Sequence, residues 1–418
     1  MPQRNYIKTK EKVSQPSKRI VLANDLERYK EIVNVPEAYR AWVDEQIVCH
    51  PELFPSEIVS GYDLHSTRTS RKLPDVILRR IKLKSNQEVF TIAPSGVMPY
   101  MTSYTDDVEK AMFLLRFGVP YWALTYVFGK NDMFWFRQFC HFGRYQIIQT
   151  TVKDMAKLPK DLLADEKHIH INGEKAYIAT TVGSDCILGA SISLSADEEG
   201  LTEAYGHFRE EALHLSPDYE PESVNVDGWA ATQKAWLNLF SLITIIQCFL
   251  HAFLKIRNCC KKRFKEIYPE IAQRVWDIYK ACDAHSFHAG IIALENWAEE
   301  KLQGTGSALQ SIQKLCTKAD LFVLAFEHPT AYRTSNMIDR HMQPMDRWLF
   351  HTQSFHGHLA SAEKAVRAWA IFHSFWEYCP RANVRKMFKS PAHKLNGFVY
   401  HDNWLHNMLV STSFAGAK

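Results

Sequence analysis

Residues 161–194 read DLLADEKHIHINGEKAYIATTVGSDCILGASISL, and their punctuation decides the fold. The first run, Asp161 to Ile171, ends in the alternation His168, Ile169, His170, Ile171, the two-residue period of a half-buried strand. Asn172-Gly173 follows, the strongest short hairpin signal in the chain, because both residues tolerate the positive φ that a two-residue turn demands. Ala176 to Val182 then reads as a second strand, Gly183-Ser184-Asp185 as a turn, and Cys186 to Leu194 as a third strand. Beyond it, Leu201, Ala204, Phe208 and Ala212 mark one face of a helix from Glu198 to Leu213. Ser223 to Asp227 is a short buried strand, Ala230 to Phe240 a helix, and Ile243 to Cys248 another buried strand. Three meandering strands followed by strand–helix–strand crossovers predict a mixed sheet in an α/β fold.

Outside this block the pattern is mostly helical. Ala252 to Glu327 reads as helix throughout, Leu359 to Tyr378 as one long helix, and 376–418 as a mixed C-terminal wrap. Upstream, residues 1–75 look irregular, with short helices such as Ala38 to Cys49. Val76 to Lys84 and Glu88 to Ile92 flank Ser85-Asn86-Gln87, a hairpin that carries Arg79 and Arg80. Between Thr105 and Ile148 three helices are expected, the first capped by Asp106 with Glu109, the second from Tyr121 to Phe128, the third from Met133 to Arg144. Two short helices, a glycine turn and a third helix outline a helix-turn-helix at 105–155. Its third helix carries Arg137, Gln138, His141 and Arg144, which can reach base edges or phosphates. Phe134, Trp135, Phe136 and Phe139 suit an ordinary three-helix bundle equally well.

Composition narrows the class. With 418 residues, 46% hydrophobic and 12% aromatic, the chain can bury more than one core and is not a disordered polymer. The stretch from Leu237 to Leu254 is interrupted by Asn238, Ser241, Thr244, Gln247 and His251, which argues against a membrane span. Nine scattered cysteines without a Cys-x-x-Cys pair, behind a basic and polar start, point to reduced thiols in a cytoplasm. Net charge is only +4, so nucleic acid is suggested locally instead of globally. Arg4, Lys8, Lys10, Lys12, Lys18 and Arg19 form a basic arm within the N-terminal region 1–104, and Lys255, Arg257, Lys261, Lys262, Arg263 and Lys265 form a second cluster.

The carboxylates carry the chemistry. In-line cutting of a phosphodiester uses two hard cations about 3.5–4 Å apart, one at the attacking oxygen and one at the leaving oxygen. Mg²⁺ keeps several waters, so a few carboxylates suffice. A sheet supplies them when one acid lies on its first strand and another ends the adjacent fourth strand, as Asp165 and Asp227 do in the expected order.

This layout resembles the DD(E/D) transposases, and within them the Mutator-type group that includes bacterial insertion sequences. In that family a Cys-x-x-His follows the second acid, and the third acid sits on a helix in a Thr-Asn-x-x-Glu setting after a helical insertion. The chain has Cys248-Phe249-Leu250-His251, then helix, then Thr334-Ser335-Asn336-Met337-Ile338-Asp339. The likeness covers about 160–375 and departs from the family in having Asp339 where Glu is usual. It implies a ribonuclease-H-like mixed-sheet core over 158–375, an all-α insertion at about 255–327, and a mainly helical DNA-binding region ahead of the core. It further implies that Asp165, Asp227 and Asp339 hold two Mg²⁺ (or Mn²⁺) ions, with Cys248 and His251 in support. The reaction implied is cleavage at element ends and transfer of the freed 3′-hydroxyl into target DNA. Double-stranded DNA is the expected partner, through Arg79, Arg80, Arg137, Gln138 and Arg144, with a dimer or larger assembly on DNA, no membrane, and a cytoplasmic, nucleoid-associated location.

Competing assignments stand beside these. Asp185 competes with Asp165, and Glu327 and Asp346 compete with Asp339. Trp229 and Trp297 suit either base stacking or core packing. A nuclease or resolvase on the same core, or a non-catalytic DNA-binding descendant, shares most of these features.

Overall fold

The computed structural model describes residues 18–303 and 306–415, so Arg4, Lys8, Lys10 and Lys12 of the basic arm lie outside the described residues. The chain opens with β1 (Arg19–Leu22), α1 (Leu26–Ile32), α2 (Pro36–Cys49), β2 (Tyr62–Arg68), β3 (Leu78–Leu83) and β4 (Val89–Pro94). Helices α3 (Thr105–Leu115), α4 (Tyr121–Phe128), α5 (Asp132–His141) and α6 (Ile147–Thr151) follow. Next come β5 (Asp161–Ile171), β6 (Glu174–Gly183), β7 (Cys186–Ser193), α7 (Glu198–Leu215), β8 (Ser223–Val226), α8 (Ala230–Leu239) and β9 (Thr244–Gln247). Five helices succeed them: α9 (Phe249–Arg263), α10 (Tyr268–Tyr279), α11 (Ala284–Lys301), α12 (Gly306–Cys316) and α13 (Ala319–Val323). The chain ends with α14 (Asn336–Thr352), α15 (Leu359–Phe375), α16 (Pro391–Asn396) and α17 (Trp404–Ser411). The fold is therefore mixed α/β, as the sequence implies. Among the described residues no helix is long and apolar enough to cross a membrane.

The larger sheet has the strand order β7-β6-β5-β8-β9. β5, β6 and β7 pair antiparallel, whereas β8 is parallel to β5 and β9 is parallel to β8. The Asn172-Gly173 turn takes the expected left-handed conformation, with φ of 53° and 86°. Strand alternation divides the sheet's side chains between two cores. Leu162, Ala164, Val224 and Val226 face α7 and α8, where Phe208, Trp236 and Phe240 fill the layer. Leu163, Ile178, Val182 and Ile187 face the other way, into the core that contains α14 and α15. Helices α9 to α13 close around a third core of their own, with Phe249, Phe287 and Phe322 at its base.

Ahead of this, the region expected to be irregular and mainly helical contains a four-stranded sheet, ordered β1-β4-β3-β2. The expected hairpin is its β3–β4 pair. β1 pairs in parallel with β4, and the Ser413 hydroxyl, just past α17, bonds the backbone N–H and C=O of Val21 at 2.7 and 2.6 Å. The C-terminal wrap is thus the outer support of the N-terminal sheet. Helix α3 begins two residues earlier than a cap at Asp106 would place it. Tyr104 holds the cap position, while Asp106 meets His406 at 3.0 Å and Glu109 accepts from the Trp404 indole.

The three expected helices at 105–144 form, but α5 lies against α15. Phe139 meets Trp348 and Phe372, and Trp135 meets Phe128. The turn after α5 touches α15 so closely that a Cβ on Gly143 would fall 1.9 Å from the Lys364 carbonyl oxygen. Backbone atoms of a buried helix cannot yield cheaply, so Gly143→Ala is expected to cost about 1–3 kcal/mol. Urea unfolding measures this; an unchanged midpoint would mean that the turn and α15 separate freely.

Candidate active site

The register of the larger sheet builds the site. Along the face that carries α14, β5 presents Asp161, Leu163 and Asp165, while β8 presents Ser223 and Asn225 and leads to Asp227. Asp161 is aligned with Ser223 and Leu163 with Asn225, so the next same-face step brings Asp165 beside Asp227. On the following strand Asn225 is aligned with Ile246, and the same step reaches Cys248. Adjacent strands lie about 4.8 Å apart, so these three side chains form a row at the carboxyl ends of β8 and β9. Asp165 and Asp227 are half-buried. Asp165 accepts from the Glu166 backbone N–H at 2.9 Å, and Asp227 accepts from the Trp229 N–H at 2.8 Å, which closes the turn after β8.

Asp339 arrives from a distant part of the chain. The segment 328–335 runs along the same face, from the amino to the carboxyl ends of the parallel strands. His328 meets Thr244 at 3.0 Å, Thr330 donates to Asp161, the Asn225 amide donates to the Tyr332 carbonyl at 2.8 Å, and Phe249 N–H donates to the Arg333 carbonyl at 3.3 Å. That track delivers Ser335 to the end of β9. The Ser335 N–H donates to Cys248 Sγ at 3.2 Å, its hydroxyl lies 3.4 Å from His251 Nδ1, and the same hydroxyl donates to Asp339 Oδ2 at 2.9 Å. Ser335 is buried and links the Cys-x-x-His pair to the third acid.

The electrostatics agree with this grouping. Burial pushes the Asp165 carboxyl up to about 6; the Glu166 N–H opposes that, the Asp227 and Asp339 charges add to it, and His251 opposes it. Its neighbour Glu166 points to the opposite face, where Tyr205 and Thr232 hydroxyls each donate to it at 2.7 Å. Burial still pushes Glu166 up to about 7. His251 is raised to about 9 by its hydrogen bond with Cys248, against burial, with further help from Asp165 and Asp339. Burial would raise the Cys248 thiol, but hydrogen bonds with His251 and Ser335 outweigh it and hold the thiol below its ordinary range. The cluster is thus rich in negative groups facing one protonated imidazole.

The donor chemistry, taken residue by residue, is the kind a hard divalent cation prefers. It consists of carboxylate oxygens, the ligands Mg²⁺ and Mn²⁺ take, and the buried Oδ1 of Asn225, on the same face, has no hydrogen-bond partner. Among the described residues no three His, Cys, Asp or Glu side chains are gathered so that they could hold a metal ion between them.

Two of the competing acids have partners of their own and the third faces solvent. Asp185, in the β6–β7 turn with φ of 73°, accepts from the Tyr378 hydroxyl at 2.5 Å and lies 3.6 Å from both Lys394 and His341. Glu327 is exposed, next to the His328 that meets the amino end of β9. Asp346 pairs with Lys167. Trp229 lies half-buried near His168 and Tyr177, and Trp297 is buried under the Arg274 guanidinium.

The expected DNA readers separate into three kinds. Arg137 and Arg144 are exposed. Gln138 is buried instead, its side-chain oxygen accepting from Thr102 at 3.1 Å, so it faces the core and not a groove. Arg79 also turns inward, donating to the Val33 carbonyl at 2.9 Å over the Tyr39 ring; Arg80 is half-buried. Sequence reading missed Ser335, Asn225 and Lys318, whose ammonium approaches Gly228 beside Asp227. Serine four residues before a helical acid, one helical turn away, was the one available signal. No protein-family model and no curated protein matches the chain.

Proposed function

We propose that the chain is a DNA transposase with a ribonuclease-H-like core that cleaves DNA at element ends and joins the 3′-hydroxyl to target DNA. One observation carries the reading: the β5–β8 register sets Asp165 beside Asp227, and Ser335 brings Asp339 to the same row. The strand order β7-β6-β5-β8-β9, with three antiparallel strands followed by two parallel ones, supports the core assignment, and the succession of α9 to α13 after β9 supports an insertion of the family's kind.

In this reading Asp165, Asp227 and Asp339 hold two Mg²⁺ or Mn²⁺ ions, which when bound activate the attacking oxygen and stabilise the leaving oxygen. The chain's own groups prepare that site. The Ser335 hydroxyl fixes one oxygen of Asp339, so the shorter Asp side chain is held in a single orientation. His251 carries a proton at neutral pH and offsets the carboxylate charge before DNA arrives. Gly228 lets the turn after β8 sit against Gln247 and Lys318, where a Cβ would lie 2.8 Å and 3.3 Å from their side-chain nitrogens. Lys318 thereby sets an ammonium beside the turn that follows Asp227, available to a DNA phosphate in this reading. The partner in this reading is double-stranded DNA, bound by an assembly of two or more copies in the nucleoid.

The test is a cleavage and strand-transfer assay on DNA carrying the terminal repeats that flank the encoding gene, with and without Mg²⁺ or Mn²⁺. Metal-dependent nicking followed by joined products is the expected result. Nicking without joining would replace this reading with a nuclease or resolvase. Binding without cutting under either metal would replace it with a DNA-binding protein.

A further inference from the structure

A second polar site lies in the N-terminal half, with no residue in common with the carboxylate row. It is a cavity of about 450 Å³ between the four-stranded sheet and the turns at 99–101 and 142–144. Its wall carries Lys18, Arg19, Arg68 and Arg144, with His141 and the Tyr100 ring, and holds no carboxylate among the described residues. Thr69, Ser70 and Thr91 add hydroxyls. The nearest acid in an ion pair with this wall is Glu88, 3.2 Å from Lys18 in a pair that is largely exposed.

The site is built and incompletely satisfied. Arg19 donates through Nη2 to the Val97 carbonyl at 3.0 Å, while its buried Nη1 has no acceptor. Arg144 donates to the Tyr100 hydroxyl at 3.2 Å, and His141 meets the same ring edge-on at 4.6 Å. Tyr100 and Met101 both take left-handed φ, 58° and 51°, a strained pair that leaves the Tyr100 ring 68% exposed. Burial, then the charges of Arg19 and Arg144, push His141 down to about 3, so these groups share one positive field. The buried Nη1 of Arg19 lacks an acceptor, which an anion in the cavity would supply, with the exposed Arg68 and Arg144 guanidinium groups on the same wall.

We propose that this cavity binds the phosphate of a nucleotide, with the base against Tyr100. The volume falls in the range of small-molecule sites. Guanidinium forks match phosphate oxygens, several cations suit a doubly charged group better than a single carboxylate, and an exposed aromatic face takes any base. The nucleotide is either free or the 5′-phosphorylated end of a DNA strand; the second source rests on the transposase reading, the binding chemistry does not.

Calorimetric titration of the full chain at low salt tests this with inorganic phosphate, a nucleoside monophosphate, and a short single-stranded oligonucleotide with and without a 5′-phosphate. One-to-one binding of the monophosphate, displaced by inorganic phosphate, is expected. The exposed residues allow substitution without disturbing the core, and Arg68→Gln and Arg144→Gln should each weaken binding by about tenfold. Preference for the 5′-phosphorylated oligonucleotide over both the monophosphate and the unphosphorylated strand identifies a strand end, and equal binding of the monophosphate identifies a free nucleotide. Absence of monophosphate and 5′-phosphate binding, or binding unchanged in the double variant, overturns the proposal. Failure of DNA cleavage by the same preparation would remove the transposase reading and leave this site standing.

Discussion

On the proposed transposase reading, Asp165→Asn and Asp227→Asn will each reduce metal-dependent DNA cleavage by about 10³-fold or more, roughly 4 kcal/mol of transition-state stabilisation. Asn keeps the size of Asp but presents one neutral oxygen, so each variant removes a charge from a site whose proposed task is to hold cations. Asp185→Asn is the control. Its carboxylate is occupied by Tyr378, Lys394 and His341, and its loss should leave the rate within a few-fold. Misfolding is excluded by stability measured without metal. Asp165 is raised from its ordinary 3.8 to about 6, so between those values the folded state binds more protons than the unfolded chain. Stability of the metal-free protein therefore falls as pH rises through that window, and Asp165→Asn lacks this loss. The variant should melt no lower than wild type at pH 7 while cutting far more slowly. A full cleavage rate in Asp227→Asn, or an equal loss in Asp185→Asn, would remove the carboxylate row from the mechanism.

The sequence makes the larger sheet legible because its signals are local. Asn172-Gly173 allows few turns, and the alternation after His168 and the helix face at Leu201, Ala204 and Phe208 lie within a few residues of each other. The row of Asp165 and Asp227 follows from strand order, which crossover connections make readable. The N-terminal sheet is different. β1 has four residues, Arg19–Leu22, and its partners are β4 and the residues just after α17, the latter at the other end of the chain. β2 is exposed along much of its length and broken by a register shift between Leu64 and Thr67, so alternation is lost. Neither feature leaves a local pattern.

The site shows the same division. Carboxylates on strands announce themselves, but Ser335 acquires its place only when the 328–335 track crosses the sheet. Lys318 acquires its place only when the α12–α13 junction reaches the turn after β8. The third helix of the 105–144 unit misleads for a related reason. Its aromatic residues surround the helix, so sequence does not tell which side meets α15. Once α5 packs with Trp135 and Phe139 inward, Gln138 is carried inward too and Arg137 is left outside. Arg144, in the turn that follows, ends beside Tyr100 at the cationic cavity instead of on the helix.

Arg367→Met will destabilise the protein by about 3–5 kcal/mol, the cost of leaving a buried charge without its partner. Arg367 is 5% exposed and Glu211 2% exposed, and they meet at 2.6 Å. The pair joins α15, which packs against one face of the larger sheet, to α7, which packs against the other, around edge strand β7. Arg367 also donates to the Gly143 and Tyr145 carbonyls at 3.2 and 2.9 Å, and Glu211 accepts from the Ile148 N–H at 3.1 Å. An edge strand presents unpaired backbone groups that invite other chains. Here Ile187 N–H donates to Ser374 and Ile192 N–H to Glu363, both side chains from α15, so the position of that helix decides whether the edge is closed. The ion pair is what fixes that position across the edge. Arg367→Met combined with Glu211→Met removes both charges and should recover part of the loss, because the two carbonyls and the Ile148 N–H still lack partners at about 1 kcal/mol or more each. Denaturant unfolding of the two variants checks the argument. A single-variant cost below about 1 kcal/mol, or a double variant no more stable than the single, would mean that water already reaches Glu211 and that apolar packing alone holds α15 over β7.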